Sequence, residues 1–403
     1  MAALAFLLTS GCGGGGGGQE EEQAEEEQAS EENVLESQDA LNAALENSFE
    51  ESGAPGVVAA VQTPEDTWVG TLGVADLASE EPMTADVHQR IGSVNKTFTV
   101  SLLLQAAAEG LLSLDDTIDQ YYEEVPNGDE ITLRQMANMT SGIASYTFNE
   151  QWQNELFSNP QRVWRPEEVV QIGIADSPAF DPGTEFQYSN TNTVLLGLVL
   201  EQVSGKPVGD LYREGIIEPL GLRGTSFPNA ADSSLPEPHP QGYTLQGQDD
   251  GEPLNATDWN PSWGWTAGAM ISTVEDLLVY GRALGTGEGL LPPEQQAERL
   301  NSFLSEDLPP NSADRAYGLG LGREYGWLGH TGELPGFNTA VYHHPELDAT
   351  VVVEVNSDIP SGDCPDDRPT MTDSPHDIPC ADPAVRIFRA LAEALGQPVP
   401  GSD

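Results

Sequence analysis

The sequence predicts an α+β fold, in which strands from both ends of the chain share one antiparallel sheet and a mostly helical middle packs beside it. Two observations indicate this fold. Residues 56–76 and 317–357 carry apolar runs and turn residues typical of strands. The segments between them favour helices, and no internal repeat is present. A chain of 403 residues allows one large domain or two ordinary ones.

Each element follows from a local pattern. Residues 56–76 predict two strands around a turn at 64–66, and the run TVSLLLQAAAEGLLSL is apolar on most sides, as in a buried helix. Thr132 and Gly142 would begin and end another helix, and glycines end two more. The remaining predictions are helices over 131–143, 192–205, 208–222, 272–289 and 383–395, and strands over 317–330, 336–345 and 349–357.

The charge is strongly acidic, with a formal value of −51 at pH 7. Residues 19–51 contain 13 acids and no base, so about −38 remains on the rest of the chain. Nucleic acid and anionic membrane surfaces are therefore not expected as partners, because binding to phosphates needs clustered Lys or Arg. An acidic surface poor in lysine fits a salt-rich, halophile-like habitat, where self-repulsion is screened.

The N-terminus resembles a bacterial lipoprotein signal. An apolar run, Ala2 to Leu8, leads through small residues to Cys12, although Thr9 stands where leucine is usual. We expect a signal over residues 1–12 with lipid on Cys12, and a Gly/Glu-rich, disordered tether over 13–47. A plain secretory signal is the alternative. The expected location is the outer side of the cytoplasmic membrane, or outside the cell.

Cys364 and Cys380 flank a polar stretch without periodicity. Outside the cytoplasm a disulfide between them is the expected state, and two free thiols are the alternative. No metal site is expected there, because paired-cysteine spacing is missing.

Ser93 and Lys96 stand three residues apart where the buried helix begins. Positions i and i+3 of a helix share a face. A serine hydroxyl attacks well only when a base removes its proton, and lysine is such a base only when burial lowers its pKa. Arginine stays protonated, which explains a lysine here in a chain with two lysines and thirteen arginines. A helix cap beside a surface lysine is the alternative, so the pair needs partners.

Two further motifs supply partners. Tyr188 and Asn190 precede a predicted helix, where the phenol can relay a proton and the amide can bind a substrate carbonyl. His330-Thr331-Gly332 ends a predicted strand, and Gly332 allows a ligand close to the backbone. The N–H of Glu333, together with that of Ser93, would form an oxyanion hole. The alternatives are an ordinary turn at each position.

The order Ser93-x-x-Lys96, Tyr188-x-Asn190 and His330-Thr331-Gly332 resembles that of the penicillin-recognising serine hydrolases. This superfamily includes D-alanyl-D-alanine carboxypeptidases, penicillin-binding proteins, serine β-lactamases and related esterases. The tyrosine in the second motif is similar to that of class C β-lactamases. The resemblance covers about residues 48–397, which we expect to form one hydrolase domain.

The resemblance implies a β-lactamase/transpeptidase-like fold, with an antiparallel sheet of five or more strands flanked by helices and an all-helical subdomain. The sheet part would be about 48–92 and 266–397, and the helical part about 110–260. Ser93 would form an acyl-enzyme while Lys96 and Tyr188 move its proton. His330 and Thr331 would help to hold a substrate carboxylate, and no metal or organic cofactor is needed.

The leading hypothesis is a D-alanyl-D-alanine carboxypeptidase-like enzyme acting on cell-wall peptides. Histidine at position 330, which would be largely neutral at pH 7, and the acid Glu333 both weaken capture of a carboxylate. They leave an esterase or a β-lactamase as an alternative, with a penicillin-binding sensor without turnover as a third. The expected substrate is a D-alanyl peptide, a β-lactam or an ester. We expect a monomer that contacts the membrane only through its lipid.

Overall fold

The computed structural model describes residues 38–248, 251–365, 368–370, 375 and 377–401. The predicted signal with Cys12, and the predicted tether up to residue 37, lie outside these residues. Within the described ranges, no helix is both long enough and apolar enough to span a membrane.

The long strands lie toward the two ends of the chain, as the apolar runs there predict, and the strands in its middle are few and short. They are β1 Gly56–Gln62, β2 Thr67–Asp76, β3 Glu81–Pro82, β4 Gln89–Arg90, β5 Tyr243–Thr244, β6 Leu254–Asn255, β7 Ile271–Ser272, β8 Arg315–Tyr317, β9 Gly322–Glu324, β10 Trp327–Leu334, β11 Phe337–His344 and β12 Ala349–Val355.

Eight strands form one antiparallel sheet in the order β3-β2-β1-β12-β11-β10-β9-β8. Strands β1 and β12 pair directly, with Val57 opposite Val355, so the two ends of the chain meet at the centre of the sheet. The pairs β4–β7 and β5–β6 stand apart from it. The predicted α+β fold, with strands from both ends in one sheet, is confirmed.

The helices supply both covering layers of the sheet and the mostly helical middle. They are α1 38–52, α2 Asn95–Ala108, α3 Leu133–Ala137, α4 Glu150–Ser158, α5 Pro166–Ala175, α6 Asn190–Ser204, α7 Val208–Tyr212, α8 Glu218–Leu220, α9 Val274–Thr286, α10 Pro293–Leu300 and α11 Pro383–Ala394. A π-helical turn, Arg213–Ile217, joins α7 to α8, so the predicted helix over 208–222 is one irregular helical segment.

Both faces of the sheet are buried, which explains the continuous apolar runs in its central strands. In β1, Val58 and Ala60 belong to the large core shared with α2, α6 and α9. Their neighbours Val57 and Ala59 belong to a second core, which α1 and α11 cover. The helical middle lies on the first face, next to α2.

Helix α1 begins ten residues before the predicted start of the domain. Leu41 and Leu45 are buried in the second core, so residues 38–47 are part of the folded structure and the tether boundary at residue 47 was wrong. The acid-rich composition of the preceding segment concealed the helix, because only two of its side chains are large and buried.

Helix α3 is shorter than predicted. Thr132 and Gln135 form the capping box at its start, but the helix ends at Ala137 rather than near Gly142. Met139 has φ of 65°, which the right-handed helix does not allow, and the chain turns there. Gly142 also has a positive φ, at a tight approach to the Phe180 carbonyl.

The predicted strand over 317–330 is divided among β8, β9 and β10. Tyr325 and Gly326, between β9 and β10, both have positive φ, as a two-residue hairpin turn requires. The glycine-rich sequence was therefore a signal for two hairpins, and this arrangement places Tyr317 at the edge of the sheet near His330.

Cys364 and Cys380 are joined by a disulfide in the loop that leads to α11. Arg386, on the first turns of α11, donates hydrogen bonds to the Ser361 hydroxyl and carbonyl oxygens, which attaches the same loop to the helix.

We predict that Leu45→Ala lowers the free energy of unfolding by about 2–5 kcal/mol, because a buried leucine side chain is removed from the second core. Urea denaturation of the purified protein measures this. Glu46→Ala, on the exposed side of the same helix, is the control and should change the value by less than about 0.5 kcal/mol. Equal effects of the two variants would show that α1 does not pack on the sheet.

Candidate active site

Ser93 lies in a single 3₁₀ turn, Gly92–Val94, that runs directly into α2. This placement puts Ser93 and Lys96 one turn apart, as the i, i+3 spacing predicts. The Lys96 Nζ is 2.8 Å from the Ser93 Oγ. Ser93 is partly exposed and lines a cleft of about 410 Å³ between the sheet edge and the helical middle.

Lys96 is fully buried, and no described carboxylate pairs with it although the chain contains 66 acids. Its second hydrogen bond goes to the Ala267 carbonyl oxygen, at 2.6 Å from Nζ. Burial without a counter-charge penalises the ammonium form and lowers the pKa of Lys96 well below 10.5. A neutral amine held 2.8 Å from a hydroxyl can take its proton.

Tyr188 covers Lys96 from the other side. Nζ is 5.0 Å from the centre of the Tyr188 ring, and the phenol oxygen is buried beside the Ser93 hydroxyl. Burial raises the pKa of Tyr188 above its usual value, and the Ser93 hydroxyl partly opposes this. The phenol therefore stays protonated at neutral pH and has a proton to donate.

Asn190 begins α6 and lines the same cleft as Ser93. Its backbone N–H donates to the Ser145 Oγ at 3.1 Å, and its Nδ2 donates to the Thr147 Oγ1 at 3.1 Å. These bonds fix the amide with its second N–H and its oxygen remaining for a ligand. The structure thus brings together Ser93, Lys96, Tyr188 and Asn190.

His330 lies behind Tyr188, outside the cleft lining. Its Nε2 accepts a hydrogen bond from the Tyr317 hydroxyl at 3.1 Å, and its Nδ1 donates to the Thr331 carbonyl. Burial lowers the pKa of His330 to about 4, so the ring is neutral at pH 7. It cannot supply the positive charge that a lysine would place there.

The turn of Ser93 and the edge of β10 pack together through two glycines. A Cβ atom on Gly332 would be 1.9 Å from the Ile91 carbonyl oxygen and 3.1 Å from the Ser93 nitrogen. A Cβ on Gly92, whose φ is 51°, would be 2.5 Å from the Glu333 nitrogen. The two amides expected to form the oxyanion hole therefore lie at one backbone contact that only glycine permits.

Several groups at this site were not predicted from the sequence. The Ala267 carbonyl holds Lys96, Tyr317 holds His330, and Tyr146 and Trp152 line the cleft. Trp263 also lines it, and the tryptophan-rich stretch WNPSWGW indicated either a cleft-lining or a core role for that residue. Over the described ranges, no cluster of three or more His, Cys, Asp or Glu could hold a metal ion.

A match to the Beta-lactamase family extends over residues 41–373. The chain belongs to this family. It is 33% identical to a D-stereospecific amidohydrolase from a Streptomyces species, with a TM-score of 0.71 over 80% of this chain and 94% of that one. The chain is therefore a serine hydrolase, and Ser93, Lys96 and Tyr188 remain its predicted catalytic residues.

Curated relatives are more distant. Protein flp of Staphylococcus aureus is 25% identical over 80% of this chain and 63% of its own length. A D-aminopeptidase of Cereibacter sphaeroides is 27% identical over 79% of this chain and 60% of its own. The chain thus spans about three-fifths of the length of the curated relatives it matches.

We predict that a fluorescent penicillin or a fluorophosphonate labels Ser93 covalently, since its hydroxyl has a base at 2.8 Å. Lys96→Arg should slow labelling by about 10²–10⁴-fold, because a guanidinium cannot accept the proton. Lys206→Arg, at the only other lysine, is the matched control and should label normally. Mass spectrometry identifies the labelled residue, and undiminished labelling of Ser93→Ala would refute the assignment.

We further predict that the labelling rate rises with pH and reaches a plateau before pH 10.5. Lys96 is active without its proton, and burial holds its pKa well below 10.5, so the active form is complete early. Rate constants measured from pH 5 to 10.5 test this. A rate that still climbed tenfold per pH unit at the top of this range would mean that the base is not a buried amine.

Proposed function

We propose that the protein hydrolyses amides and short peptides whose acyl group is a D-amino acid with a free ammonium group and a large apolar side chain. The observation that carries this proposal is the lining of the cleft beside Ser93. One wall of the cleft is aromatic. Among the described residues that line the cleft, Glu333 is the one whose side chain is formally charged.

The aromatic wall is rigid and well supported. Tyr146 and Trp152 meet edge to face at 5.2 Å between ring centres, and Trp152 and Trp263 do so at 5.4 Å. The Tyr146 hydroxyl donates to the Trp263 carbonyl at 2.7 Å. Phe148 and Phe157 complete the lining, and Phe148 is 64% exposed. Such a surface supports binding of an aromatic or large aliphatic side chain.

Glu333 is the acidic group at the mouth of the cleft. The Gln246 Nε2 donates to both the Glu333 carboxylate, at 3.2 Å, and the Asp358 carboxylate, at 2.6 Å. Surrounding protein atoms, with the acids Asp382 and Asp358, raise the pKa of Glu333. The free site therefore disfavours the ionised form of Glu333, and a substrate ammonium beside it would restore the carboxylate, because an opposite charge lowers the pKa of an acid.

The chemical steps follow from the geometry at Ser93. As its Oγ bonds to the substrate carbonyl carbon, Lys96 takes the hydroxyl proton, and the oxyanion forms beside the N–H groups of Ser93 and Glu333. The proton then passes, with Tyr188 as relay, to the leaving nitrogen, and the C–N bond breaks to leave an ester on Ser93. Water attacks that ester, gives its proton back through the same groups, and releases the D-amino acid.

The D configuration rests on the two relatives described as a D-stereospecific amidohydrolase and a D-aminopeptidase. A carboxypeptidase of D-alanyl-D-alanine peptides, expected from the sequence, acts on an acyl group whose nitrogen is already acylated. Such a group brings no cation to Glu333. A free ammonium group on the substrate therefore distinguishes the proposed activity from the carboxypeptidase activity. Esterase or β-lactamase action would not require that group.

Export and lipidation at Cys12 are also proposed, from the N-terminal sequence and the disulfide between Cys364 and Cys380, a bond typical of oxidising compartments. Mass spectrometry of the N-terminal peptide from a membrane fraction tests for the lipid.

We predict that D-phenylalaninamide is hydrolysed with a kcat/KM at least about tenfold above that of N-acetyl-D-phenylalaninamide, since acetylation removes the charge that meets Glu333. In Glu333→Gln this preference should fall toward one. Liberated ammonia, measured over a range of substrate concentrations, gives both constants.

Glu81→Gln, an exposed acid on β3 outside the cleft lining, is the charge-matched control and should keep the preference. Faster turnover of the acetylated substrate, or release of D-alanine from an N-acylated D-alanyl-D-alanine peptide alone, would favour the carboxypeptidase instead.

A further inference from the structure

Among the described residues, three side-chain amides line the cleft, and one of them is bonded to Glu333. Gln153 and Asn190 are attached to Thr147: the Gln153 Nε2 donates to its carbonyl at 2.7 Å, and the Asn190 Nδ2 donates to its Oγ1 at 3.1 Å. The third amide, Gln246, donates from Nε2 to the Glu333 carboxylate at 3.2 Å. Gln246 is therefore the amide that lies beside the proposed ammonium site.

A buried acid holds Gln246 from behind. The Gln246 Nε2 donates to the Asp358 carboxylate at 2.6 Å. Asp358 is 5% exposed and also accepts hydrogen bonds from the Thr244 hydroxyl, at 2.9 Å, and from the Gly336 N–H, at 3.0 Å. These contacts attach the amide to the residues that directly follow β12, so the central sheet fixes its position.

The two acids also determine which way the amide faces. Its nitrogen carries two hydrogens, and the carboxylates of Glu333 and Asp358 accept them. The opposite orientation would place the amide oxygen against both carboxylates, which have no hydrogen to donate to it. The Gln246 Oε1 therefore points away from the two acids, and it accepts no hydrogen bond from any residue that the structure describes.

A substrate ammonium needs more than one acceptor. It carries three N–H donors, and each donor that leaves water without finding an acceptor weakens binding. Glu333 accepts one of these donors. The Gln246 Oε1 belongs to the same amide group whose nitrogen contacts Glu333, so a single ammonium can lie against both oxygens.

We propose that Gln246 determines specificity at the ammonium subsite, where its Oε1 accepts one N–H of the substrate while the Glu333 carboxylate accepts another. The protein then prefers D-aminoacyl substrates whose nitrogen is a primary or secondary ammonium group. It disfavours tertiary ammonium groups, although these carry the same charge. This inference rests on the proposed function and deepens it, from recognition of a charge to recognition of the number of N–H donors.

The test compares N-methyl-D-phenylalaninamide with N,N-dimethyl-D-phenylalaninamide at about pH 7, where both are largely cationic. The first substrate keeps two N–H donors, one for each acceptor, and the second keeps one. We expect kcat/KM for the N-methyl substrate to exceed that for the dimethyl substrate about tenfold in the unmodified protein. Liberated ammonia gives both rates.

Gln246→Met removes the acceptor and keeps the length of the side chain, so the second methyl group of the substrate meets a similar volume. In this variant the ratio should fall to about two or less, because kcat/KM falls for the N-methyl substrate and stays nearly constant for the dimethyl one. Gln246→Ala, at the same partly exposed position, should also lower the ratio. Gln248→Met, two residues away and outside the cleft lining, is the matched control and should keep the ratio.

Labelling of Ser93 by a fluorophosphonate shows whether the Gln246 variants are folded. The reagent carries no ammonium, so its rate of reaction should be the same in Gln246→Met as in the unmodified protein. A fall in the substrate ratio with unchanged labelling then reports on recognition of the ammonium rather than on damage to the catalytic groups.

The outcomes separate this inference from the proposed function. A ratio near one in the unmodified protein, or a ratio that Gln246→Met leaves unchanged, overturns the role of Gln246. The proposed function would still stand, because it requires only that D-phenylalaninamide is preferred over its N-acetyl derivative. Failure to hydrolyse D-phenylalaninamide removes the proposed function, and this inference with it.

Discussion

The structure depends on keeping one amine uncharged. Lys96 is buried between the Ser93 hydroxyl and the Ala267 carbonyl, in a protein whose acids outnumber its bases more than fourfold. Any carboxylate within reach would restore the ammonium form and remove the base. Helix α2 meets this constraint by being buried on nearly every side, so that Lys96 is surrounded by backbone dipoles, hydroxyls and the ring of Tyr188.

Tyr188 also separates two spaces near the serine. Its ring lines the aromatic cleft on one side and, with Tyr317 and His330, a second cavity of about 380 Å³ on the other. The phenol that is proposed to relay the proton therefore stands between the two spaces.

The sequence predicted the candidate catalytic residues but not the groups that hold them in place, and the reason is physical. Spacing along one helix places Lys96 near Ser93, and a strand ending in Gly332 implies close backbone approach, so both were accessible to local reasoning. The partner of Lys96 is a main-chain oxygen 171 residues away, and no side-chain pattern marks it. Tyr317 reached His330 only because the strand predicted over 317–330 divides into hairpins. Helix α1 was missed because its two anchoring leucines stand in an acid-rich segment.

The position of α1 determines the end of the sheet from which the proposed N-terminal tether would extend. Its first residues lie beside the β1–β2 turn, where the Gln38 Nε2 donates to the Asp66 carboxylate. That turn is at the end of the sheet opposite Glu333, since Gln62 aligns with Thr350 and His343, whereas Glu333 aligns with Asn338 and Val355. Residue 38 therefore lies at the end of the sheet opposite Glu333. If the proposed lipid on Cys12 holds the protein to a membrane, the part of the domain nearest that attachment in the chain is the end of the sheet away from the cleft.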